Sequence, residues 1–207
     1  MPIAHSLSDF QARVAQCDSL IATAHTTQAG GILHFTPRDR EQITEAAFLN
    51  MFIAWEEFIE ASIADFMMGE LTIAGRQPGR FVTPQSRDHS ERMVVHMNRY
   101  FDYANHENVK KLAKLYFDTG YPFDTPINSL TQELSDLKIM RNGCAHMSST
   151  TKAALEGLAL RIFGSPQAGI TVYQMLTAND PRTNPIVTVY ASYRDKLLVA
   201  AVLIAQG

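Results

Sequence analysis

Three features of the sequence point to an all-α bundle. Apolar residues recur at helical spacing, most plainly Phe48, Met51, Phe52, Trp55, Phe58, Ile59, Ile63 and Phe66. Two segments open on a cap residue followed by proline, Thr36-Pro37 and Thr125-Pro126. Alternating stretches that would mark half-buried strands are scarce.

Ser8 with Gln11 reads as a capping box opening a first helix over 8–25. A loop with Gly30 and Gly31 follows at 26–35. Thr36-Pro37 then starts a long helix that runs to about Gly69. Two glycines, two prolines and two arginines make 75–84 a turn-rich connection. Shorter helices are predicted over 87–103 and 105–118, with Gly120 closing the second. Thr125-Pro126 opens the next, whose buried seam is Ile127, Leu130, Leu134 and Leu137. Ser148 to Thr151 caps a helix over 152–163. The stretch 164–186 is irregular, with Ile170–Leu176 open to either a short strand or a helical turn. A last helix spans roughly Val187 to Ala205. The sequence shows no internal repeat, low-complexity tract or second domain, so one domain over 1–207 is expected, its first helix joined by the loop at 26–35.

Composition narrows the function classes. Of 207 residues, 46% are hydrophobic and 19% charged, which suits a folded protein and argues against disorder. A net charge of −3 excludes coating nucleic acid through bulk positive charge, though not a local basic site. Two cysteines, Cys17 and Cys144, neither build a disulfide scaffold nor have metal-ligand spacing, which fits a reducing cytoplasm. Asp9, Arg13 and Asp18 leave no apolar signal-peptide core, and the apolar run from Leu197 to Ala205 is too short to span a bilayer. Neither a membrane nor a cofactor is expected.

Chemistry concentrates in Arg141-Asn142-Gly143-Cys144-Ala145-His146. At about 100° per residue, Leu137, Leu134 and Leu130 fall within roughly 40° of Arg141, so the arginine continues their seam. An arginine in such a place needs a partner. Asn142 and His146 are one turn apart, and Gly143 between them is expected to weaken the helix and let the two faces converge. These residue types suit cleavage of an RNA phosphodiester by its own 2′-hydroxyl. An imidazole exchanges protons near neutral pH, while a guanidinium fork fits the oxygens of a phosphorane. Asn142 can hold the imidazole or a substrate oxygen. A second acid or base is wanted, and a second subunit across a two-fold axis is its simplest source.

Arg-Asn-x-x-x-His at a helix end resembles the Arg-x4-6-His motif of the HEPN superfamily. Leu134 to Met140 resembles its motif helix, and Ala54-Trp55-Glu56-Glu57-Phe58 its N-terminal helix, in particular those of RiboL-PSP-type proteins. The likeness covers about residues 36 to 205, with the short motif its sharpest part. It implies a HEPN-like helical bundle, a homodimer with a composite active site around the motif, and an endoribonuclease of toxin or antiviral defence systems. Metal independence is expected separately, because no cluster of His, Cys and acidic residues has metal-ligand spacing. Arg141, Asn142 and His146 map onto its catalytic positions. Members silenced by a nucleotidyltransferase antitoxin carry Tyr two residues after the His. Ser148 stands there in this chain, so that route of control is not expected.

Plainer readings stand beside these. Arg141 could pair structurally with a buried carboxylate such as Glu56, which could equally orient Arg141 in a site. Glu57 falls on the opposite, solvated face. His89 and His96 are seven apart and read as a solvated face before a metal pair. Arg76, Arg80 and Arg87 read as ordinary surface charge before a phosphate grip. Phe48, Phe52, Trp55 and Phe58 are core residues, not a base-stacking platform. Cys144 and His146 point apart, which weighs against a thiol nucleophile. The competing function is a catalytically idle HEPN-like domain that binds RNA, a nucleotide or a protein partner.

Overall fold

In a computed structural model, residues 2–27, 31, 33–95, 100–146 and 148–207 are described. Helices dominate these residues, and their β structure is limited to isolated bridges, Thr27 with Leu33, Arg80 with Phe117 and Asn179 with Thr188. The fold is all-α, as the apolar spacing predicts.

Helix α1 (Ile3–Ala24) begins ahead of the predicted capping box. The buried positions Ile3 and Leu7 extend its apolar stripe upstream of Phe10, and the carbonyl of Pro2 accepts the amide of His5 at 2.8 Å. Ser8 therefore lies inside the helix, on its exposed side. Helix α2 (Pro37–Met68) starts where Thr36-Pro37 places it. Thr36 Oγ1 accepts the Asp39 amide at 3.2 Å, and Asp39 Oδ2 accepts the Thr36 amide at 3.2 Å, a reciprocal cap. Its predicted stripe from Phe48 to Phe66 is buried throughout. At the other end Gly69 takes φ +94°, and Arg80 Nη1 donates to the Met67 carbonyl at 3.1 Å. A Cβ at Gly69 would lie 2.1 Å from that nitrogen, so glycine lets the guanidinium cap the last turn.

Helix α3 (Arg87–Val95) is shorter than predicted, since residues 100–105 are not helical. Helix α4 (His106–Tyr116) is capped by Asn105, whose Oδ1 accepts the Glu107 amide at 3.2 Å. A 3-10 turn over Asp118–Gly120 follows. The single helix predicted from Thr125 is two, α5 (Asp124–Ser129) and α6 (Thr131–Ala145). Leu130 leaves helical geometry at φ −116° and ψ 16°. The Thr131 hydroxyl donates to the Asn128 carbonyl at 3.1 Å, occupying an acceptor left by the broken helix. Helix α7 (Ser149–Phe163) has a Ser148/Thr151 capping box and stops at Gly164 in the left-handed region. The segment left open between strand and helical turn is α8 (Val172–Thr177), set by a Thr171/Gln174 capping box. Helix α9 (Val189–Gln206) ends the chain described.

These elements gather into two compact units. One comprises Met1–Gln11, Ala54–Ser135 and Lys196–Gly207. Its core holds an aromatic group in which Phe10 stacks on Phe58 at 5.4 Å and Phe66 meets Phe123 edge-on at 5.8 Å. Asp65, fully buried, pairs with Arg87 and accepts the Ser6 hydroxyl at 3.0 Å. The other comprises Ala12–Ile53 and Asp136–Asp195, with Phe48, Met51, Phe52, Leu137, Met140, Leu158 and Met175 buried. Among the described residues, no helix is long and apolar enough to cross a membrane.

Candidate functional site

The final turns of α6 belong to the second unit and carry Arg141, Asn142 and, just past the helix end, His146. Burial along this part of α6 explains how the three are presented. Taking Arg141 as zero, Leu134, Leu137, Met140, Asp136 and Gly143 sweep an arc from about +20° to about −160°, and all five are buried. Arg141 thus sits at the edge of the buried arc and is half-buried, not within a Leu130-Leu134-Leu137 seam, and Leu130 itself is only half-buried. Asn142 and His146 project on the open side at about 100° and 140°.

Arg141 Nη1 donates to the side-chain oxygen of Asn142 at 3.3 Å. Among the described residues of this unit, no carboxylate pairs with the guanidinium. His146 is exposed, and its amide donates to the Asn142 carbonyl at 2.9 Å, which extends the helical turn by one residue. Its own carbonyl accepts the Thr151 hydroxyl at 2.5 Å, so the α7 cap also pins the histidine backbone. An arginine, an amide and an exposed imidazole thus follow one another within about one and a half turns, with Arg141 bonded to Asn142 and His146 about 140° around the helix from Arg141. Glu56 is half-buried on α2 and belongs to the first unit.

Gly143 plays a different part from the expected one. Helix α6 runs through it without a break, and Gly143 is buried. A Cβ there would lie 2.8 Å from Val172 Cγ2, so glycine permits close approach of α6 to α8. Gly143→Ala is expected to cost about 1–3 kcal/mol through overpacking, measured by denaturant titration. An unchanged midpoint would show that α8 shifts freely.

Cys144 is half-buried, and its thiol is pushed up to about 12 by burial and then by the negative charge of Glu45. A thiol so protonated at neutral pH makes a poor nucleophile. Of the other sequence candidates, Arg80 caps α2 and Arg87 pairs with Asp65, so both have structural work, while Arg76 is exposed. His89 is exposed, and His96 and Arg99 lie outside the described residues. Among the described residues, no three His, Cys, Asp or Glu side chains gather as a metal site would require.

Two features escaped sequence reasoning. The first is a buried polar chain. Asp136, 0% exposed, pairs with Arg161 of α7 and accepts the Tyr193 hydroxyl at 2.6 Å. Tyr193 in turn accepts from Arg182 at 3.3 Å, and Arg182 forks onto buried Asp180 with two bonds of 2.8 Å. This chain ties α6 to α7 and α9 one and a half turns before the motif. The second is a pocket of about 230 Å³ beside the same turn of α6. Glu41, Glu45, Gly143, Cys144, Lys152 and Val172 are among its lining residues. Polar residues four apart on α2, Glu41 and Glu45, were the available signal, but they share a face with many other charges on that helix.

Comparison with protein-family models, with curated proteins and with solved structures gives no match for this chain.

Proposed function

We propose that the chain is a metal-independent endoribonuclease of HEPN type. The observation that supports this reading is an exposed imidazole, His146, within about one and a half turns of Arg141, a guanidinium that no carboxylate of its unit neutralises among the described residues. A structural arginine would be expected to hold an acidic partner. A guanidinium left free for an anion can instead stabilise the charge that gathers on phosphate oxygens in the transition state. In the proposed reaction the ribose 2′-hydroxyl attacks the adjacent phosphorus while the bond to the 5′-oxygen breaks. The products carry a 2′,3′-cyclic phosphate and a 5′-hydroxyl. His146 accepts the 2′-proton or protonates the leaving oxygen, and Asn142 orients Arg141 through their hydrogen bond.

One chain supplies one such imidazole, whereas the reaction profits from both a base and an acid. A homodimer with the two motifs facing one cleft provides them. A role in a toxin or phage-defence system, with an antitoxin or defence partner, follows from the resemblance of the motif. Purified protein incubated with mixed cellular RNA in excess EDTA is expected to cut, leaving ends that accept phosphate directly at the 5′-hydroxyl. Loss of cutting in chelator, with recovery on added magnesium or manganese, would overturn the mechanism. RNA binding without any cutting would favour an idle binding domain.

A further inference from the structure

We propose that the pocket bounded by α2, α6, α7 and α8 is a nucleobase subsite that takes guanine, through Glu41 and Glu45 on one side and Lys152 on the other. For its natural ligand this rests on the ribonuclease reading. Gly143 and Cys144, the two residues that follow Asn142 in the turn carrying the motif, line the pocket. On the helical wheel the mean direction of these two residues is about 110° from both Arg141 and His146. Thr151 lines the pocket and also donates to the His146 carbonyl, so one side chain touches both features. A strand crossing the end of α6 can place a phosphate at the motif and a neighbouring base in the pocket.

The lining chemistry selects the base. At about 230 Å³ the cavity is smaller than the sites that enclose drug-sized ligands and suits one ring system. Leu155, Ile170 and Val172 supply apolar surface for the faces of a planar ring. Glu45 Oε1 accepts the Tyr173 amide at 3.1 Å, which anchors that side chain and leaves its second oxygen available. Burial raises the Glu45 carboxyl above the usual range, offset in part by the Tyr173 amide and reinforced by the charge of Glu41. Among the described residues, neither the Glu41 carboxylate nor the Lys152 ammonium has a hydrogen-bonding partner. The wall thus offers acceptors on α2 and a donor on α7. Guanine presents the complement, two adjacent N–H donors at N1 and N2 and two acceptors at O6 and N7. Adenine lacks the paired donors. A small cation would satisfy the carboxylates but would meet Lys152 and an apolar lining. Single-stranded RNA is read in this manner, by splayed bases hydrogen-bonded along their edges.

The test is calorimetric titration of the full chain with guanosine, inosine and adenosine, nucleosides that carry no phosphate for Arg141. Guanosine is expected to bind, inosine roughly 5- to 100-fold more weakly for want of its 2-amino group, and adenosine more weakly still. Glu41→Gln and Glu45→Gln should each erase the preference for guanosine over inosine. Should either variant fail to fold, labelling of Cys144 in the wild-type protein replaces it, and guanosine is expected to slow labelling where adenosine does not. Equal binding of the three nucleosides, or none, overturns the proposal. RNA cutting without guanosine binding removes the subsite and keeps the nuclease. Guanosine binding without any cutting does the reverse.

Discussion

Replacing His146 by Ala is expected to lower RNA cleavage by a factor of about 10² to 10⁴, the usual cost of removing a general acid or base. The fold should scarcely notice. His146 is exposed and lies past the last residue of α6, and the Thr151 bond it receives goes to its backbone, which alanine keeps. A substitution of this kind stays within about 0.5 kcal/mol, a melting shift under about 2 °C for a chain of this size. Arg141→Ala sharpens the test. A structural ion pair would make that change costly, by roughly 3–5 kcal/mol. The half-buried guanidinium instead bonds only the neutral Asn142 amide within its unit, among the described residues, so a loss near 1 kcal/mol is expected together with abolished cleavage. Mixing wild-type and His146→Ala chains extends the experiment to the dimer, since heterodimers should fall below simple dilution. If Arg141→Ala unfolds the protein while His146→Ala cuts normally, the catalytic assignment is wrong.

Arg161→Ala is expected to produce the largest loss of stability, about 3 kcal/mol in denaturant titration. It withdraws the guanidinium that faces a carboxylate with no exposure, Asp136, while leaving that charge in place. The value falls at the low end of the range for broken buried pairs because the Arg161 side chain is 39% exposed and Tyr193 still donates to Asp136. Asp136→Asn should cost less, since it removes the buried charge and keeps an acceptor for Tyr193. The order of the two variants is the informative result. If the Asn variant proves the more damaging, the carboxylate itself holds α6 to α7 and α9, and the desolvation argument fails. Because the pair lies one and a half turns before Arg141, Arg161→Ala should also reduce cleavage at temperatures where it remains folded.

Local events are legible in neighbouring residues. Periodic burial from Phe48 to Phe66, the Thr36-Pro37 start of α2 and the Ser148 cap of α7 depend on interactions within a few residues, and all three are visible as spacing. Arg141, Asn142 and His146 are likewise visible as spacing, since all three fall within about one and a half helical turns of one short segment. Tertiary structure decided what those turns face. It set the break at Leu130, moved the buried arc of α6 toward Met140 and Asp136, and left Arg141 at its edge. It also turned Gly143 from an expected hinge into a point of contact with Val172. The partners in these cases lie far along the chain: Asp136 with Arg161 and Tyr193, Gly143 with Val172, Glu45 with the Tyr173 amide. A charge on a helix reads as solvated until a distant element covers it, and no local pattern reports that covering. Burial and pairing at such positions are properties of the assembled core, whereas helix starts and periodic faces are written in neighbouring residues.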